Sequence, residues 1–231
     1  VWMASETWPS AGCREAEFPI PAQGRQTLVD DLSQTAYDRK ADNLKDWRDE
    51  LVLRDDPEYR NRLKFVWNPF GEGNALDDAS LNTDSSNQGL RISGTVKVSF
   101  DAAIDRETAI LSTMLVDLGA SRRITEEQIP HEDGTYSFGV EEAPSLYKVI
   151  SRGWLNAQNR SCLWRKERIV PGEMYHYEID MVPTDYVLEP GHELALILYG
   201  IDAEATTRPD TVTRIEIDTA HLQAVVPMGS C

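Results

Sequence analysis

The chain has 231 residues, 41% of them hydrophobic, enough for one large core with a smaller appended element but not for two full-sized domains. Its 39 acidic and 23 basic residues give a net charge of −16, a surface that repels phosphate backbones and anionic lipid, so nucleic acid and membrane are disfavoured as partners. The longest apolar run, "LALILYGI" (Leu194–Ile201), falls far short of the roughly 20 residues a membrane-spanning helix needs.

Residues 1–30 are short apolar pieces broken by Pro9, Pro19, Pro21 and Gly24, a texture of extended segments and turns. The opening "VWMASETWPSAG" has neither the basic start nor the apolar stretch of a secretory leader. It begins on Val1 and not Met, and reads as a piece cut from a longer protein. Residues 31–62 are intensely charged. Within them "ADNLKDWRDEL" sets Leu44, Trp47 and Leu51 at i, i+3 and i+7, with Asp42 a candidate N-cap. This predicts a helix over 41–51, read as a surface helix capping something larger and not as a partner-binding one.

From residue 63 the hydrophobic period changes to two. "LKFVW" comes first, then an acidic loop, then "LRISGTVKVSFDAA", in which Val96, Val98 and Phe100 alternate with polar neighbours. The loop over 74–89 carries Asp77, Asp78, Asn82, Asp84 and Asn87, oxygen donors suited to calcium, but their spacing fits no EF-hand and the loop reads as solvated. "AILSTMLVDLG", "TYSFGV", "SLYKVISRGWL", "EMYHYEIDMV", "ELALILYGI", "TVTRIEID" and "LQAVVP" follow at nearly even spacing. Short strands punctuated by Gly, Pro, Asn and Asp indicate an all-β fold, an antiparallel jelly-roll β-sandwich with a short helical, charged N-terminal extension. Val212, Ile215 and Ile217 suit a strand with one wet face, whereas "LALILY" reads as a strand buried on both sides.

A search for chemistry finds little. No G-x-S-x-G elbow presents a nucleophile. His131 sits in a turn, His221 stands alone, and His176 lies in an alternating strand as a wall residue. His192-Glu193 begins like a zincin motif, but Leu196 stands where the second His belongs, and His192 reads as structural at a strand entrance. Cys13, Cys162 and Cys231 are too sparse for a disulfide framework or a zinc site and suit a reducing, cytoplasmic compartment. No cofactor or metal is called for.

Three segments, in order, carry a family resemblance. "LRISGTVKVSFDAAIDRETAILSTMLVDLGASRRIT" (Leu90–Thr125) has a strand, an I-S-G turn, a second strand and L-x-x-x-L-V-D-x-G followed by basic residues. "YKVISRGWLNAQNRSCL" has an N-x-Q-N-R core after a strand, and "MYHYEIDMVPTDYVLEPGHELALILYGIDAEATTR" carries P-T-x-Y-x-L-x-x-G-H and Y-x-x-D-x-E. Together they resemble the C-terminal domain of bacterial X-prolyl dipeptidyl-peptidases, while "VWMASETWPSAG" and "AEFPIP" resemble the bridge leading out of the catalytic domain. The related cocaine esterase and acyl-amino-ester hydrolase branches show Leu-Arg-Ala-Ser where this chain has Leu-Asn-Ala-Gln, which favours the X-prolyl branch.

The resemblance implies a galactose-binding-like jelly roll packed against an α/β-hydrolase domain of a serine exopeptidase. That enzyme's Ser, Asp and His lie upstream, so no catalytic residue carries over. Residues 1–30 are then the bridge, 31–62 a charged, partly helical segment and 63–231 the sandwich. Peptide substrate is reached only through the parent enzyme, and a homo-oligomer is left open. The alternative function is a stand-alone carbohydrate-binding module.

"SRGWLNAQNR" (Ser151–Arg160) is the stretch with the strongest look of a site. Trp154, Asn156 and Gln158 could form an aromatic platform with a polar rim. Against this, Asn156, Gln158 and Arg160 alternate with Leu155, Ala157 and Asn159, as where side chains satisfy backbone groups of a crossing chain. The stretch therefore reads as scaffold or inter-domain contact, with Arg160 buried against a carboxylate, Asp202 preferred.

Overall fold

A computed structural model describes residues 7–10, 12–30, 41–55, 60–71, 89–124, 128–130, 136–138, 142–206 and 211–230. The chain forms β1 (Arg14–Glu17), β2 (Arg25–Asp30), α1 (Ala41–Leu53), β3 (Arg62–Trp67), β4 (Leu90–Gly94), β5 (Lys97–Ile104), β6 (Ile110–Ile124), β7 (Gln128–Pro130) and β8 (Tyr136–Phe138). It continues through β9 (Glu142–Asn156), a 3-10 turn (Ala157–Asn159), β10 (Met174–Asp180), β11 (Thr184–Leu188), β12 (Glu193–Tyr199) and β13 (Thr213–Ser230).

Two antiparallel sheets build a β-sandwich. One runs β10-β5-β13-β4-β11, with β1 and β2 also paired to the long β13, and the other runs β3-β12-β6-β9. β7 and β8 form a separate hairpin. Arg14–Glu17 and Arg25–Asp30, within the stretch expected to bridge from upstream, thus add strands to the first sheet. The expected break between "TVTRIEID" and "LQAVVP" is a bulge inside β13, where the register to β5 shifts between Asp218 and Gln223.

Alternation along each strand decides what is buried. Leu194, Leu196 and Leu198 of β12 enter the core between the sheets with Leu111, Leu115, Phe100 and Ile215. Ala195, Ile197 and Tyr199 of the same strand point the other way, into a second cluster with Met114 and Val116 of β6. Trp47, Leu51 and Val52 of α1 cover that second face, and the Trp47 ring meets Tyr199 edge-on with centroids 6.0 Å apart. This is why "LALILY" is apolar at both parities.

A 13-residue helix is marginal in isolation. Each fully buried apolar side chain contributes about 1.5–3 kcal/mol, so three of them hold α1 on the sheet. The helix expected over 41–51 spans Ala41–Leu53. The side chains of Asp42 and Leu44, the acidic loop 74–87 and His131 lie outside the described residues.

Candidate functional site

The signature segments converge on two buried carboxylates. Asp117, from V-D-x-G in β6, has no exposed surface. Its Oδ1 lies 2.8 Å from His192 Nδ1, and its Oδ2 accepts from the Tyr186 hydroxyl at 2.6 Å and from Arg123 Nη2 at 3.0 Å. Tyr186 stands on β11 in one sheet while Asp117 stands on β6 in the other, so the cluster ties the two layers together. Gly119 completes it: a Cβ there would lie 2.2 Å from the His192 ring, which has room only because the residue is glycine. Burial first, then the Asp117 hydrogen bond, pushes the Tyr186 phenol above its ordinary range and keeps it a neutral donor.

Asp202, from Y-x-x-D-x-E after β12, centres the second cluster and is also fully buried. Its Oδ2 accepts from the Tyr199 hydroxyl at 2.8 Å and from the Trp154 indole N–H at 3.0 Å, and its Oδ1 accepts from the backbone N–H groups of Glu204 and Ala205 at 2.9 and 3.1 Å. Arg152 pairs with Glu204 and lies 3.6 Å from Asp202, and Arg48 of α1 reaches Glu204 at 3.1 Å. Burial opposes the Arg152 charge, but the Glu204 hydrogen bond and the fields of Asp202 and Glu204 outweigh it, and its pKa is raised. The Tyr199 phenol is pushed well above its ordinary value, by burial and then by Asp202.

The Asp202 partner differs from the one expected. Arg160 pairs with Glu167 at 3.0 Å, donates to the Arg168 carbonyl at 3.3 Å and lies 4.3 Å over the Tyr175 ring. Strand parity is the reason. Arg152 and Trp154 share the outward face of β9 and meet Asp202 there, whereas the 3-10 turn redirects the chain before Arg160. Within that turn Asn156 Oδ1 accepts from the Gln158 N–H at 3.0 Å, and the Gln158 carbonyl accepts from the Glu167 N–H at 2.7 Å. Asn159 Nδ2 donates to the carbonyls of Cys162 and Leu163, both at 3.2 Å.

Arg160→Ala should therefore cost only about 1–2 kcal/mol, a partly shielded ion pair plus a cation–π contact. Urea unfolding that shows a loss above about 4 kcal/mol, as for a fully buried pair, would contradict this geometry.

Trp154 is 37% exposed and lines an open recess of about 300 Å³ with Val149, Ile150, Ser151, Arg152, Val182 and Pro183. Its one polar atom is turned inward to Asp202, which leaves only the ring face at the recess. His192 and Asp117 make an Asp–His pair, two members of a hydrolase triad. However, His192 is buried, and its second nitrogen faces the Glu189 carboxylate at 3.7 Å and not a hydroxyl. Ser112 and Ser151 donate their hydroxyls to the carbonyls of Gly200 and Val182, both at 2.5 Å. His176 is exposed on β10, where its hydrogen bond to Asp101 at 2.7 Å leads the factors raising its pKa.

The family model described as "X-Pro dipeptidyl-peptidase C-terminal non-catalytic domain" matches residues 1–230. The chain belongs to this family. An Xaa-Pro dipeptidyl-peptidase of Lacticaseibacillus casei is 33% identical over 148 residues, covering 59% of this chain and 19% of that protein. A putative Xaa-Pro dipeptidyl-peptidase of Bacillus anthracis is 30% identical over 230 residues, covering 96% of this chain and 31% of that protein. The chain thus spans about a third or less of the curated relatives it matches.

Solved structures share the fold. An aminopeptidase from a marine-sediment Thaumarchaeota archaeon matches 99% of this chain and 38% of its own at TM-score 0.61 and 11% identity. A CocE/NonD family hydrolase from Staphylococcus aureus matches 98% of this chain and 38% of its own at TM-score 0.55 and 10% identity.

Within this X-Pro dipeptidyl-peptidase C-terminal domain, the signature letters are now placed. V-D-x-G and P-T-x-Y-x-L-x-x-G-H supply Asp117, Gly119, Tyr186 and His192 to one cluster, while Y-x-x-D-x-E supplies Tyr199, Asp202 and Glu204 to the other, where Trp154 joins from the strand before N-x-Q-N-R. Sequence reasoning singled out His192, Trp154 and Asp202 but not Asp117, Arg123, Arg152, Tyr186, Tyr199 or Glu204. The quoted motifs already contained Asp117, Tyr186, Tyr199 and Glu204, and an acidic letter inside an apolar strand ("LVDLG") was the signal available.

Proposed function

We propose that this domain is the non-catalytic C-terminal β-sandwich of a cytoplasmic serine exopeptidase that releases X-Pro dipeptides from peptide N-termini. It packs on an upstream α/β-hydrolase domain of the same polypeptide and shapes access to the active site or assembly of the enzyme, and residues 1–30 form the route between the two. The observation that carries this reading is the match of the non-catalytic family model to residues 1–230, on a chain spanning only 19–31% of the cited dipeptidyl-peptidases. In this role Ser151–Arg160, His192 and Asp202 are scaffold: they hold strand ends and layers together and leave the chemistry to another domain.

Acyl transfer at neutral pH needs an activated hydroxyl, a base and an oxyanion hole. The isolated chain is expected to fold, seen by circular dichroism, yet to show no turnover of an X-Pro chromogenic substrate above the enzyme-free background. The full-length parent should turn the substrate over, and serine-directed reagents should abolish that activity. Inhibitor-sensitive cleavage by residues 1–231 alone would overturn the assignment.

A further inference from the structure

Next to the 3-10 turn, the loop 161–168 reads "SCLWRKER". Leu163 is 70% exposed and Trp164 90% exposed, the most exposed large apolar side chains among the described residues. Val170, also exposed, lies just beyond. The loop is fixed in spite of this exposure. Asn159 ties the carbonyls of Cys162 and Leu163, Arg160 pairs with Glu167 and stacks on Tyr175, and the Glu167 N–H is tied to Gln158. Its backbone groups and Glu167 are tied internally, while Leu163 and Trp164 are presented outward. A Trp on a backbone already held in place, with exposed cations at its sides, is the composition of a binding hot spot, since little backbone entropy remains to be lost on association.

Charge narrows the partner. In a chain of net charge −16, residues 160–168 hold Arg160, Arg165, Lys166 and Arg168 against Glu167 alone. Arg165 and Arg168 reach carboxylates only at 3.8 and 3.9 Å, with side chains 76% and 81% exposed. This cationic rim suits a partner surface that is apolar at its centre and acid-rimmed. The chain spans a third or less of its matched relatives, so most of such a polypeptide lies outside it.

Resting on the reading given above, we propose that Cys162–Arg168 is the loop by which this domain docks on the catalytic domain of its own polypeptide. Leu163 and Trp164 enter an apolar recess, and Arg165, Lys166 and Arg168 meet acidic groups at its rim.

The test uses the full-length polypeptide with a photo-crosslinking phenylalanine analogue placed at position 164. Cross-links within one chain to the catalytic domain are expected, at a yield independent of protein concentration and well above that of the same analogue at Ile124, at the far end of β6. A yield no higher than at Ile124, cross-links joining two chains, or cross-links confined to this domain would overturn the proposal. In parallel, Trp164→Ser combined with Arg165→Glu should raise the rate of proteolytic cleavage between the domains by about tenfold, the scale of losing one anchor residue. An unchanged rate would also overturn it.

Turnover of an X-Pro substrate by the unmodified polypeptide is scored separately. Turnover without the cross-link rejects the docking loop alone. The cross-link without turnover supports the docking loop and rejects the substrate reading.

Discussion

Asp117→Ala should destabilise the domain by about 3–5 kcal/mol, because it strips the counter-charge and acceptor from groups that stay buried. Arg123 is almost wholly shielded and has Asp117 as its carboxylate partner at 3.0 Å, and Tyr186 and His192 lose their acceptor at the same time. The substitution also cuts a tie between the two sheets, so the loss falls on global stability. In urea unfolding the midpoint should fall with the slope unchanged, and for a chain of this size the melting temperature should drop by roughly 10 °C.

Asp117→Asn keeps the shape but offers one acceptor oxygen to three donors, and should lose an intermediate amount. A melting temperature within about 2 °C of the parent for Asp117→Ala would mean the cluster does not hold the layers, since even a 1 kcal/mol loss shifts a domain of this size by 2–4 °C.

The second large effect is expected at Asp202. Asp202→Ala leaves the Tyr199 hydroxyl, the Trp154 indole N–H and the Glu204 N–H without their acceptor, and it removes one of the two carboxylates near Arg152. The buried Tyr199 hydroxyl left without an acceptor costs about 1–3 kcal/mol, and the more exposed donors cost less. The groups relax together and Trp154 can reach water, so a total of about 3–5 kcal/mol is expected in place of the full sum. Trp154→Phe removes one donor and keeps most of the ring, and should cost only about 1 kcal/mol. Equal losses for the two variants would show that ring packing, and not the carboxylate, is what matters. Because Arg48 links α1 to Glu204, hydrogen exchange in α1 should speed up in Asp202→Ala more than in Asp117→Ala.

The sandwich, the helix and the doubly buried strand were all readable in the sequence because each follows from local periodicity. Alternation fixes which side chains share a face of β12, and the spacing of Trp47 and Leu51 fixes the buried face of α1, whatever lies opposite. The order of the motifs along the chain likewise carries the family resemblance without reference to packing.

Partner choice was not readable in this way. Asp117 meets Tyr186 and His192 across 69 and 75 residues of chain, and Asp202 takes Trp154 from 48 residues away. These pairings depend on register, on the irregularities in the β6–β9 pairing, and on where the 3-10 turn after Asn156 turns the chain. A single residue of register shift exchanges the two faces of a strand, so the Arg160–Asp202 pairing expected from composition gave way to Arg160–Glu167 and Arg152–Asp202. The sequence alone determined which faces are apolar and which family the chain resembles. Tertiary structure alone decided which buried charge meets which donor, because that depends on the relative placement of strands that are remote along the chain.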